Sequence, residues 1–174
     1  MATYKIDATH SEVTFKIKHL MISNVSGNFT KFDGEIKANN EDLSDAVFSF
    51  EADIDSINTN NEQRDGHLKS ADFFDAENHP KLSFKSTSFT KKGDDFELVG
   101  DFTLRGVTKS VKLNAEYAGK MVDPYGNEKH GFEISGKISR KEFGLEWSAV
   151  TEAGGIVVSD EVKLLVNAQF SKVN

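Results

Sequence analysis

The segment Phe96-Glu97-Leu98-Val99-Gly100-Asp101-Phe102-Thr103-Leu104-Arg105-Gly106-Val107 carries the pattern that sets the fold. Phe96, Leu98, Gly100, Phe102 and Leu104 recur at every second position, which places them on one face of an extended strand. Beyond the pair Arg105-Gly106 the apolar residues change from even to odd numbers: Val107, then Val111, Leu113, Ala115 and Tyr117. Such a change of parity requires a two-residue turn or a bulge. The turn is the simpler reading and makes the segment an antiparallel hairpin.

The same period of two extends in both directions. Upstream it runs through Val13, Phe15, Ile17 and His19, through Phe32, Gly34, Ile36 and Ala38, through Ala46, Phe48, Phe50, Ala52 and Ile54, and through Leu82 and Phe84. Downstream it recurs in Phe132, Ile134, Gly136 and Ile138 and in Val162, Leu164, Val166, Ala168 and Phe170. A leading run, Tyr4 to Asp7, is short enough to be an accessory strand. Turn-forming clusters separate the runs: Asn39-Asn40-Glu41-Asp42, Lys92-Gly93-Asp94, Asp123-Pro124-Tyr125-Gly126 and Ala153-Gly154-Gly155. Eight such strands would leave long exposed edges in an open sheet, and closure removes them. The expected fold is all-β: a single domain, residues 1–174, forming an eight-stranded antiparallel barrel.

One stretch breaks the alternation. Between Ser56 and Pro80 the period of two stops, and Thr59-Asn60-Asn61-Glu62 has the form of a capping box. A short helical crossover is expected from about Asn60 to Leu68, with a further turn from Ser70.

Composition narrows the function. The 174 residues hold 21 Lys and Arg against 28 Asp and Glu, a net charge of −7, the wrong sign for gripping a phosphate backbone. Nucleic acid is therefore not an expected partner. With no cysteine, thiolate metal sites, disulfides and cysteine nucleophiles are excluded. The chain holds no Gly-x-Ser-x-Gly elbow, phosphate-binding loop, dinucleotide fingerprint or His-Glu-x-x-His pair, and its five histidines lack metal-ligand spacing. No cofactor or metal is expected. No stretch reaches the ~20 apolar residues of a membrane-spanning helix, so stable membrane insertion is not expected. The first residues lack the apolar stretch of a signal peptide, which places the chain as written in the cytoplasm, or in the periplasm if a leader has been removed.

An eight-stranded barrel is just wide enough to be filled by its own side chains or to hold one slender ligand. Phe is 14 residues against three Tyr and one Trp, so the aromatic surface needs few hydrogen-bond partners and suits a dry interior. The inward register also carries small residues, Gly34, Ala38, Ala46, Ala52, Gly100, Ala115, Gly136 and Ala168, which leave volume unless neighbouring rings fill it. If a tail occupies the interior, its wall is Phe15, Ile17, Phe48, Phe50, Phe84, Leu98, Phe102, Leu113, Ile134 and Leu164. A tail of about fifteen carbons would contribute ~12 kcal/mol before association costs. Three polar residues are candidates for a head group or a gate: His19 on its strand, and Arg64 and His67, which share a face of the expected helix and suit an anionic or carbonyl group. The alternatives are that Arg64 and Asp65 make ion pairs that fix the helix over one barrel end, and that His19 is structural. A catalytic reading would use His19 or His67 beside a carboxylate such as Asp65. A solid barrel acting through its surface, as a homodimer, is the third.

The ordered set of short motifs resembles the YceI-like family over nearly the whole chain. It includes Tyr4-Lys5-Ile6-Asp7 with His10-Ser11, Val25-Ser26-Gly27-x-Phe29, and Ser56-Ile57-x-Thr59. The most specific is Arg64-Asp65-x-His67-Leu68-x-Ser70-x-Asp72-Phe73-Phe74; later come Gly100-x-x-x-Leu104-x-Gly106-Val107-Thr108, Arg140-x-x-Phe143-Gly144 and Val158-Ser159-Asp160-x-Val162. The resemblance implies a lipocalin-like barrel with a helical flap that takes up a long-chain isoprenoid or another amphiphilic lipid, for non-catalytic binding, storage or transport. It supplies no catalytic residues.

Overall fold

The computed structural model describes residues 1–20, 22–145 and 158–173. Its strands are β1 (Ala2–Ile6), β2 (Glu12–His19), β3 (Ser23–Phe29), β4 (Phe32–Ala38), β5 (Val47–Asp53), β6 (Ile57–Asn58), β7 (Lys81–Lys92), β8 (Asp95–Leu104), β9 (Val107–Val122), β10 (Glu128–Ser139) and β11 (Val158–Lys172). The helix α1 (Glu62–Lys69) lies between β6 and β7, and short 3-10 turns fall at Ala8–His10, Ile54–Ser56 and Arg140–Phe143.

β1, β4, β5, β7, β8, β9, β10 and β11 follow one another in hydrogen-bonded order, and β11 closes the ring by pairing with β1 through Tyr4↔Lys172 and Ile6↔Phe170. All these pairings are antiparallel, so the barrel has the eight strands that the alternation predicts, but the leading run β1 takes the place in the ring expected for the run of Val13, Phe15, Ile17 and His19. β2, β3 and β6 extend the wall at one end, where β11 passes from β1 to β2 as partner. β1–β2 and β3–β4 are thus two interrupted halves of one long hairpin, with Lys5 opposite Glu35 and Val13 opposite Phe29.

The turn at Arg105-Gly106 is present. Leu104 pairs with Val107, and φ is positive at both loop residues (51° and 74°), as a two-residue hairpin of type I′ requires. Gly93-Asp94 and the loop at 123–127 also connect antiparallel neighbours; the Ala153-Gly154-Gly155 turn lies outside the described residues. β7 continues past Phe84 to Lys92 because a bulge between Ser86 and Ser88 shifts its register, after which Phe89 pairs with Leu98 on the inner face. The inward Ser86 is buried and accepts the Phe48 N–H at 2.8 Å, extending the β5–β7 ladder by one bond.

α1 differs in its start. Asn60 takes a left-handed φ of 62°, and Asn61 is the N-cap, its side chain accepting the Arg64 N–H at 3.0 Å. Thr59 is therefore outside the helix, and its hydroxyl is used elsewhere. Hydrogen-bonded turns follow from Ser70, with Phe73 N–H on Ser70 O and Phe74 N–H on Leu68 O.

Candidate functional site

The barrel is solid at one end and hollow at the other. At the solid end Phe48 packs against Phe89 (5.0 Å between ring centres), Phe132 (5.4 Å) and Phe170 (6.2 Å). In the same region the fully buried His130 lies between the Tyr117 hydroxyl (2.7 Å) and the Glu128 carboxylate (2.9 Å), with the Tyr4 ring edge-on to it. The His130 contact holds the Glu128 carboxyl below its ordinary pKa, and burial pushes the Tyr117 hydroxyl up.

Two apolar chambers occupy the rest. The outer, of about 260 Å³, lies under α1; the inner, of about 90 Å³, reaches down to Phe48 and Phe170. Both are lined by Phe15, Phe29, Leu82, Phe102 and Leu164, so they are successive parts of one interior. Together they slightly exceed the lower limit of small-molecule pockets, roughly 300 Å³.

Each candidate wall residue lies on this interior. Ile17 lines the outer chamber, Phe15, Phe102 and Leu164 line both, and Phe48, Phe50, Phe84, Leu98, Leu113 and Ile134 line the inner one. The small inward residues line neither, which is the alternative in which neighbouring side chains fill the space beside them. Over Gly100 sits the Phe84 ring, 2.5 Å from where a Cβ would stand, and over Gly136 sits Leu113 at 2.4 Å. Neighbouring side chains consume that space, and the hollow arises where the wall passes from β-strand to α1.

His19, Arg64 and His67 all reach the outer chamber, joined there by Lys18 and Arg140. No carboxylate lines it among the described residues. The proposed ion pairing of Arg64 and Asp65 is replaced by a shared clamp on Thr59. Arg64 Nε donates to Thr59 Oγ1 (2.8 Å) and Nη2 to the Thr59 carbonyl (2.6 Å), while Asp65 Oδ1 accepts from the Thr59 hydroxyl (2.5 Å) and backbone N–H (3.0 Å). Thr59 is buried, so this network ties α1 to the end of β6. The carboxylate beside His67 is Asp72 (3.0 Å) rather than Asp65, which is occupied by Thr59; the Phe73 ring meets the imidazole edge-on.

Two arginines were not legible as site residues. Arg140, 3% exposed, donates to the carbonyls of Leu145 (2.6 Å), Ser159 (2.8 Å) and Val158 (3.2 Å), and its guanidinium lies 5.9 Å from the centre of the Phe73 ring. Burial lowers its pKa from the ordinary guanidinium value. Nearby Asp160 is partly buried, which raises its pKa, but bonds from the Ser139 hydroxyl and the Lys141 N–H outweigh this and leave it lowered. Arg105, in the hairpin turn, donates to the carbonyls of Phe73 (2.8 Å) and Gly144 (3.2 Å), holding the segment after α1 against the 140–144 turn. Among the described residues no group of three or more His, Asp or Glu side chains could hold a metal, and no helix is long and apolar enough to cross a membrane.

The sequence pattern of the YceI-like domain matches residues 4–170. The chain belongs to the YceI-like family. It is 36% identical over 172 residues to the UPF0312 protein SERP2314 of Staphylococcus epidermidis and 35% to the UPF0312 protein SA2479 of Staphylococcus aureus, covering 98% of this chain and of each relative. The crystal structure of the Campylobacter jejuni YCEI protein is 32% identical with a TM-score of 0.77, over 90% of both chains. Two more distant structures share the fold: Burkholderia cenocepacia BcnA (20% identity, TM-score 0.81, 94% and 98% covered) and a polyisoprenoid-binding domain from Saccharophagus degradans (16%, 0.71, 97% of each).

The longest motif of the resemblance, Arg64 to Phe74, forms the cover of this YceI-like barrel. Leu68, Phe73 and Phe74 face the outer chamber alongside Arg64 and His67. Their apolar positions follow neither a strand nor a long helix, so periodicity does not find them.

Proposed function

We propose that this protein binds one long-chain isoprenoid or similar amphiphilic lipid without covalent attachment, for storage or transport. The observation that carries the reading is the blind apolar interior: two adjoining chambers that share five lining residues, closed by the Phe48–Phe132–Phe170 floor, with every described charged lining residue at the opposite end. A tail would lie along Phe15, Leu98, Phe102 and Leu164. A head group that accepts hydrogen bonds would sit near Arg64, His19 and His67. Arg64 Nη1 makes no bond to a described residue, and Thr59 already fixes the guanidinium, so a charge-assisted bond to a ligand would cost little further ordering. The shared fold of the S. degradans polyisoprenoid-binding domain is consistent with this use of the barrel.

A series of prenols of increasing length, measured by calorimetry, tests the reading. Each buried methylene contributes ~0.8 kcal/mol, about fourfold in affinity, until the tail meets the aromatic floor. Affinity should rise with length and then level off; equal affinity at all lengths, or no binding, would refute a blind tail-binding interior.

A further inference from the structure

The hairpin between β2 and β3 stands at the α1 end of the barrel, because Lys18, His19 and Val25 on its two strands line the outer chamber. Its tip is apolar and projects into water: Ile22 is 85% exposed and Leu20 40%. Such an exposed apolar tip carries an unfavourable hydration that a bilayer would relieve.

The strand behind the tip has an unusual charge arrangement. Lys16 of β2 and Lys163 of β11 are exposed and stand directly opposite each other in the ladder. Like charges in that position oppose pairing. Lys16, Lys18 and Lys163 form no ion pair among the described residues, although lysines elsewhere reach Glu35, Glu51, Glu97, Glu161 and Asp7. In a chain with seven more acids than bases, three neighbouring unpaired lysines make a local basic face.

We propose that this end of the barrel docks on an anionic lipid bilayer, with Leu20 and Ile22 entering the interface and Lys16, Lys18 and Lys163 meeting the headgroups. The occupant follows from charge complementarity and from continuity with the chamber mouth. Docking there would let an amphiphile pass between membrane and barrel without its tail crossing water. Each lysine near an anionic surface contributes roughly fivefold to partitioning, in a salt-sensitive way. The purpose assigned to docking rests on the lipid-binding reading, but docking itself is measured separately.

The test is co-sedimentation of the full chain with vesicles of phosphatidylcholine alone or mixed with phosphatidylglycerol. The wild type should sediment with the mixed vesicles, less so at high salt. Leu20→Ser/Ile22→Ser and Lys16→Gln/Lys163→Gln should each lower partitioning at least tenfold. Met121→Ser/Tyr125→Ser, at an exposed apolar turn of the solid end, should leave it unchanged. Leu98→Trp, which fills the inner chamber, should also keep vesicle binding while losing lipid, so the two readings can fail separately. Equal binding by the tip variants, loss confined to the Met121/Tyr125 variant, or a wild-type dimer that the tip variant dissociates without any vesicle binding would each overturn the proposal; the last would assign the tip to a second copy.

Discussion

Replacing Thr59 by Val removes one hydroxyl and leaves the shape of the side chain nearly unchanged. That hydroxyl accepts from Arg64 Nε at 2.8 Å and donates to Asp65 Oδ1 at 2.5 Å, in a residue only 4% exposed. Bonds to charged groups contribute about 1.5–3 kcal/mol each. Arg64 and Asp65 are only half-buried and keep their backbone bonds to Thr59, so the combined loss should be nearer ~2 kcal/mol, or about thirtyfold in the population of open α1. Amide hydrogen exchange reads this directly. The N–H groups of Asp65, Phe74 and Ala76, bonded to Asn61, Leu68 and Lys69, should exchange about thirtyfold faster. Amides of β8 and β9 should be unaffected, and Thr59→Ser should restore protection. Unchanged exchange over residues 62–76, or an equal acceleration throughout the barrel, would refute the clamp as what holds the cover.

Three further outcomes are expected. Leu98→Trp, at a 1% exposed position on the inner chamber, should abolish lipid uptake at an overpacking cost of roughly 1–3 kcal/mol; a folded variant that still takes up lipid, by circular dichroism and extraction, would displace the assigned wall. Ser86→Ala should destabilise by about 1–3 kcal/mol in urea unfolding, because the buried Phe48 N–H loses its acceptor. Asp7 accepts from the Thr9 hydroxyl (2.7 Å), lies 2.9 Å from His10 Nδ1 and takes the Lys129 ammonium at 3.0 Å, which together hold its carboxyl far below the ordinary range. With the folded pKa depressed, its contribution is complete above the unfolded value of about 3.9 and is lost as pH falls through the folded one. Asp7→Asn should therefore be less stable than the wild type by about 1–2 kcal/mol at neutral pH, with the gap closing in strong acid; a gap independent of pH would remove the charge from the explanation.

The strands that the alternation disclosed are those with one fully apolar face. Phe96 to Leu104 is an example, and its parity change at Arg105-Gly106 showed the hairpin directly. β3 was missed because Ser23–Phe29 offers only Val25 and Phe29 as large apolar groups, with Gly27 between them under the Phe15 ring. β6 is two residues long and is a strand only because β3 pairs with it. The cap was misplaced for a local reason: Thr59 has the right residue type, but the left-handed Asn60 separates it from the helix and Asn61 does the capping. Alternation put the wall residues on the inner face, but it did not distinguish a solid end from a hollow one. That difference depends on which rings meet across the barrel, as Phe48 and Phe132 do, and on Arg140 and Arg105 binding backbone carbonyls at the mouth. Such long-range contacts leave no periodic trace.

The most direct measurement is to purify the protein from its own host without detergent, extract it with organic solvent and identify any stoichiometric lipid by mass spectrometry. A long-chain isoprenoid or similar amphiphile at close to one molecule per chain, absent from the Leu98→Trp variant, is the predicted result. An empty extract, repeated after exposure to isoprenoid quinones, prenyl phosphates and fatty amides, would contradict it and leave the chambers as packing defects in a barrel that acts through its surface.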